Sequence, residues 1–470
     1  MRRRAAVGAV TAPAALLLAA SPANAHGLVG KQDLPVPAWL FTWAAAIVLI
    51  VSFVGLAMLW PTPRLQDVRE RVVARLPAIV PALCGTIGVA AFAGLLYAGF
   101  AGIQTDDANV LPTSVYVVFW VGLAFASFLF GDVFRAFNPW LAIGRAAGWL
   151  SARLAGDRLP APLAYPERLG RWPAVVGLLA FAWLELVSPE RGDPSTLAFL
   201  ILAYAAVQLV GMSLYGTRAW ADRGDAFSVY FGLLARISPL RWSERKLSVC
   251  VPLGGLPPMD TPRATVAFVA VMIGSTTFDG LTMGKAWTDA APWMQDRFAA
   301  LGLDPDAALQ AAFTVGLLAS IAAVWALYRV GIAGVRGVDG RRSAGELADR
   351  FVHSLVPIAL AYVVAHYFGL LSYQGQAMAF LLSDPLGDGS DLLGTASTAI
   401  DYNWISATGI WYVQVVALVV GHVAGLILAH DRAIALYADP RQAVRSQYWM
   451  LAVMVGFTCL ALWLVSGAGS

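Results

Sequence analysis

Stretches of about twenty mainly apolar residues recur along this chain, each long enough to cross a hydrocarbon core of about 30 Å as a helix. Of its 470 residues 59% are hydrophobic and only 13% are charged, and the mean hydropathy is +0.67. That balance is far too apolar for an ordinary soluble protein. In lipid a backbone must satisfy its own hydrogen bonds, so the expected fold is an all-α polytopic membrane bundle. The hydropathy pattern predicts ten helices, at about 39–60, 77–100, 112–131, 172–188, 195–216, 264–283, 308–331, 350–371, 409–430 and 446–466.

The N-terminus has a different grammar. Arg2, Arg3 and Arg4 precede a short apolar run and then Ser21-Pro22-Ala23-Asn24-Ala25, the pattern of a secretory signal with an A-x-A cleavage site. The chain is therefore expected to divide into a signal peptide, 1–25, and a single transmembrane domain, 26–470, whose mature N-terminus lies outside, with an uncleaved anchor as the alternative. With that start, the intervals predicted to be cytoplasmic hold most of the arginines, from Arg64 to Arg75, Arg135 to Arg171, Arg218 to Arg263, Arg336 to Arg350 and Arg432 to Arg445. The opposite loops are poor in Lys and Arg, as the positive-inside rule requires of a multi-pass plasma-membrane protein. A formal charge of +3 does not point to nucleic acid. Cys84, Cys250 and Cys459 form no disulfide or thiolate-metal pattern.

Cytoplasmic segments near 132–171 and 217–263 are expected to contain interfacial helices, at 139–154, 225–237 and around Trp242–Lys246, because Trp, Phe and Leu alternate there with Arg. Asp132 and Arg135, three apart, are expected to form an ion pair before Asn138-Pro139 ends the helix. The outer loop near 372–408 mixes an apolar run with Gly and Asp, which suits a re-entrant or capping helix.

Candidate chemistry lies with the histidines. Four of the five, His353, His366, His422 and His430, fall on two apolar stretches, and imidazoles in a bilayer rarely face lipid. His353 and His366 are separated by about 20 Å along a helix, and His422 and His430 by about 12 Å. The two pairs therefore do not match in depth as a two-haem arrangement requires. The topology puts His353 and His430 near the cytoplasmic boundary, His422 deeper and His366 toward the outer side. Each has a bland alternative, a boundary or interior hydrogen bond. Asp279, within Ser275-Thr276-Thr277-Phe278-Asp279-Gly280, is expected near His366, and the two would begin a His/carboxylate site for a divalent metal such as Zn or Mn. Glu185 either joins that layer or snorkels to the surface. His26, with its own amine after cleavage, is a candidate copper ligand. No nucleotide-binding or soluble-hydrolase motif is present.

The segments 26–35 (HGLVGKQDLP), 131–140 (GDVFRAFNPW), 275–281 (STTFDGL), 351–368 (FVHSLVPIALAYVVAHYF) and 421–433 (GHVAGLILAHDRA) together resemble an actinobacterial family of polytopic membrane proteins commonly labelled fenitrothion hydrolase. The resemblance implies a membrane-bound hydrolase of lipophilic organophosphorus triesters, with membrane lipids and a lipophilic small molecule as its partners. It carries no established catalytic motif. The residues assign Asp279 and His366 as catalytic candidates and His366, His422, Asp279, His353, His430 and His26 as metal candidates. Two other classes remain open: a proton- or ion-coupled transporter or channel, with Gln208, Gln374 and Gln414 lining a path, and a copper- or redox-handling membrane protein.

Overall fold

A computed structural model describes residues 38–155, 161–243, 245–437 and 439–467. The expected signal peptide and His26 lie outside the described residues. The principal helices are α1 (Ala38–Leu59), α2 (Ile79–Ala101), α3 (Val110–Phe130), α4 (Val133–Phe137), α5 (Pro139–Ala155), α6 (Trp172–Leu186), α7 (Pro194–Tyr215), α8 (Thr217–Arg223), α9 (Ala226–Ala235), α10 (Thr265–Thr282), α11 (Lys285–Ala300), α12 (Pro305–Asp339), α13 (Ala344–Leu381), α14 (Ala407–Leu436), α15 (Pro440–Ser446) and α16 (Tyr448–Gly467). A helix lies over each of the ten predicted intervals, and among the described residues seven are long and apolar enough to cross a membrane. Polar starts explain several boundaries. Asp193, Asp304 and Ser406 each cap a helix through a side-chain oxygen, and Ser343 accepts from the backbone N–H of Glu346 as in a capping box.

Hydrogen bonds gather the connections at two ends. At one end Arg71–Arg75 (β1), Leu240–Ser243 (β2) and Lys246–Val249 (β3) form an antiparallel sheet in the order β1-β3-β2. At that end Arg432 also donates to the Pro257 carbonyl and Arg342 to that of Leu436. At the other end Ile103 bonds Leu386, and Ser195 bonds Gln104. These arginine-rich connections thus meet each other.

Asp431 ties this end together. It is fully buried, yet its carboxylate accepts from Trp60 Nε1 at 3.0 Å, Arg64 N at 2.6 Å, Leu65 N at 3.2 Å and Gln66 Nε2 at 2.7 Å. Asp431→Ala would strand those donors, so stability should fall by roughly 3 kcal/mol, measurable as an earlier unfolding transition of the detergent-solubilised chain. Asp225 is satisfied similarly, by Asn138, Trp140, Tyr204 and Ser228. This gives the Asn138-Pro139-Trp140 sequence a structural role.

Four expectations need correction. The segment around Trp242–Lys246 holds strand residues of β2 and β3, which pair with each other while β3 also pairs with the distant β1. Helix α9 is not interfacial: Ala226 to Phe231 are all buried, with Phe119, Phe134 and Phe181 around them. Arg135 pairs with Asp222 at 2.7 Å, while Asp132 instead caps α4 by accepting from the Arg135 backbone N–H. The apolar run in the 372–408 loop continues α13 through short turns to Leu381 rather than forming a separate helix.

Candidate functional site

Helix α13 packs extensively against α14. Gly421 and Gly425 make it possible: a Cβ on Gly421 would sit 2.3 Å from Ala361 Cβ, and one on Gly425 would sit 2.7 Å from the Ser354 carbonyl oxygen. Small residues four apart let helices approach in this way. Helix α10 packs on the other side of α13. Its Ser275, Thr276 and Thr277 hydroxyls bond carbonyls one turn back in the same helix, a local satisfaction that leaves Asp279 as the group reaching a neighbour.

Asp279 meets α13 at two adjacent residues. His366 Nε2 lies 2.9 Å from its Oδ2, and the Tyr367 hydroxyl donates to the same oxygen at 2.8 Å. Asp279 is 2% exposed, while the His366 side chain keeps 12% of its surface. The carboxylate is therefore enclosed and the imidazole is reachable. With Asp279 ionised the carboxylate only accepts, and the hydrogen between them then belongs to Nε2 and the lone pair falls on Nδ1. Gly280 keeps the space beside that nitrogen free, since a Cβ there would stand 3.7 Å from Nδ1.

Glu185 of α6 is half-buried, and the charge of Asp279 acts on it. Tyr116, Tyr230 and Tyr367 in turn feel Glu185. Tyr230 stacks on Trp120 with ring centroids 4.6 Å apart. Trp120 belongs to the π-helical stretch Ser114–Gly122 inside α3, and such rewinding of a helix often accompanies functional sites. Glu185 thus lies within electrostatic reach of Asp279, and Tyr367 is a member of the site that the sequence does not single out. Only its position next to His366 hinted at it.

The other histidines do not enter this cluster. His422 is fully buried on α14; Nδ1 lies 2.7 Å from the Leu418 carbonyl, the ring faces Tyr362, and Nε2 has no hydrogen-bond partner. His353 sits in the 3-10 turn Val352–Leu355, buried, with Nε2 likewise unpartnered. His430 is also buried, not a headgroup contact; its Nδ1 and Nε2 face Gln447 Oε1 and the Trp60 carbonyl at 3.1 and 3.3 Å. Gln208 accepts from Trp220 Nε1 at 2.8 Å, a packing role that does not open a path.

A divalent ion needs three or more converging donors. Among the described residues no group of three His, Cys, Asp or Glu side chains is arranged to hold one, and the Nε2 of His366 is already directed to Asp279. Among the described residues Asp279 and His366 bring two such side chains together, one fewer than the zinc or manganese centre expected from the sequence requires. The chemistry this arrangement supports is proton transfer: a histidine held by a buried carboxylate, with a tyrosine on the same oxygen and a second carboxylate near by. Comparison with protein-family models, curated proteins and solved structures gave no match.

Proposed function

We propose that the chain is a ten-span membrane hydrolase, arginine-rich end inward, in which His366 is the general base and Asp279 holds and orients it. The carrying observation is the 2.9 Å contact between His366 Nε2 and Asp279 Oδ2. Seven helices compatible with membrane crossing and the family resemblance support the setting. A neutral aryl phosphorothioate triester partitions into lipid and would approach the bundle from there. A water beside Nδ1 would give its proton to the imidazole as its oxygen bonds to phosphorus. The phosphorus–oxygen bond to the nitrophenolate then breaks, and that leaving group is stable enough to depart without a general acid. The imidazolium formed is stabilised by Asp279, and Tyr367 shares the load on the carboxylate. This step uses only the chain's own groups and water.

A second reading, proton-coupled transport, is favoured by Glu185 near Asp279 and by the buried, unpartnered Nε2 atoms of His422 and His353. Intramembrane ionisable groups are common in relays. One preparation separates the two readings. The purified chain in nanodiscs should release nitrophenolate from a triester, with activity surviving a chelator, and proteoliposomes should show no proton flux. Flux without ester turnover would replace the hydrolase with the transporter, and chelator-sensitive turnover would restore the metal.

A further inference from the structure

The segment from Leu253 to Thr265, between β3 and α10, gathers three guanidinium groups from different parts of the chain. Arg171, at the start of α6, is 7% exposed and donates from Nη1 to Thr265 Oγ1 at 3.1 Å. Arg236, at the end of α9, donates to the Gly255 carbonyl at 3.0 Å. Arg241, on β2, lies across Gly255 so closely that a Cβ there would stand 1.2 Å from its Nη2. The charges are near enough to act on each other. Burial first, and then Arg236, lowers the pKa of Arg171 to about 10, and burial and Arg241 lower that of Arg236.

Gathering like charges is costly unless an anion joins them. No carboxylate closes on all three guanidinium groups, although Asp260 and Asp222 act on Arg171 and, with Asp132, on Arg236 from farther away. Asp222 is paired with Arg135, Asp132 caps α4, Asp260 is exposed, and Glu70 reaches only 4.0 Å from Arg241 Nε. Among the described residues neither Arg171 nor Arg236 has a carboxylate within ion-pair distance. Arg171 Nε and Arg241 Nε are both buried with no hydrogen-bond partner, the latter having only the Glu70 carboxylate at 4.0 Å. The loop is also strained, since Leu253 (φ 67°) and Ala264 (φ 68°), at its two ends, are the non-glycine residues with positive φ among those described. Next to β2, Phe130 and Leu129 expose their side chains, and Trp242 Nε1 donates to the Phe130 carbonyl at 2.6 Å.

We propose that Arg171, Arg236 and Arg241 form a binding site for a phosphate group, carried by an anionic phospholipid whose acyl chains run past Leu129, Phe130 and Trp242. The accessible edges of Arg236 and Arg241 meet the phosphate oxygens, Arg171 adds its charge from the buried side, and the apolar rim takes the chains. This arrangement matches the basic recesses between membrane helices that hold acidic headgroups. It is independent of the reaction at Asp279.

The test uses the full-length chain in phosphatidylcholine nanodiscs with and without phosphatidylglycerol, read by lipid retention in native mass spectrometry and by the unfolding midpoint. Phosphatidylglycerol should be retained in preference and raise the midpoint. Arg236→Gln and Arg241→Gln should each weaken retention about fivefold, while their midpoints in phosphatidylcholine alone stay near wild type. Arg236→Lys, which keeps charge but not the forked donors, should fall between. If inorganic phosphate in phosphatidylcholine nanodiscs gives a stabilisation that the same variants remove, the phosphate site stands and its ligand is the free ion. Equal retention of both lipids, or phosphatidylglycerol retention unchanged in both glutamine variants, would overturn the proposal.

Discussion

Asp279→Asn should lower triester turnover by about 10²- to 10⁴-fold, the range general base catalysis supplies, without unfolding the chain. Asparagine keeps the size and still offers an oxygen to Tyr367 and His366. It removes the charge that fixes Nε2–H on the inner side of the ring and stabilises the imidazolium. His366→Ala should lose as much, because it removes the base itself, and the double variant should be scarcely worse than either single one, as residues acting as one unit are not additive. Tyr367→Phe deletes only one hydrogen bond to the carboxylate at 2.8 Å and should cost about tenfold or less. Parallel nitrophenolate assays and unfolding curves in one detergent check all four. A full loss in Tyr367→Phe with wild-type behaviour in His366→Ala would move the base to another residue.

Gly421→Leu should have the largest effect on folding. The α13–α14 contact is set by backbone approach, with the first added carbon already 2.3 Å from Ala361 Cβ and 2.8 Å from the Pro357 carbonyl oxygen. Neither neighbour is the end of a flexible side chain, so the helices must separate. Separation exposes the fully buried His422 and moves His366 away from Asp279. Overpacking costs about 1–3 kcal/mol where a core yields, and here the neighbours are rigid, so the yield of folded protein should collapse. Gly456→Leu on α16 is the contrast, because a Cβ there meets nothing within 4 Å. Size-exclusion recovery of the two variants side by side measures the difference. Equal recovery would mean that the pair is not closely packed.

The sequence carried the long helices well, because a twenty-residue apolar window is a strong signal: 264–283 became Thr265–Thr282, and 195–216 became Pro194–Tyr215. Shorter apolar runs misled. Ala226–Ala235 has the length at which a surface helix and a core helix look alike, and only its neighbours reveal burial on all sides. The Trp242 hairpin was hidden because strand pairing with Arg71–Arg75 depends on a distant segment. Asp279 and His366 were legible because both residue types are costly in a membrane, and the structure brings them together. His422, His353 and His430 drew attention for the same reason yet lie apart, since hydropathy gives depth along a helix and not the direction a ring faces. Tyr367 and Asp431 were missed because a tyrosine or a boundary aspartate is common near membranes. The Gly421–Gly425 spacing was present in the sequence as a packing signal.

The most direct test is turnover of a nitrophenyl triester by the purified chain in ¹⁸O-labelled water, beside His366→Ala. Water activation by His366 predicts one ¹⁸O atom in the phosphorus-containing product, none in the nitrophenolate, and almost no product from the variant. Release no faster than in protein-free nanodiscs, or labelled product formed equally by His366→Ala, would contradict the account.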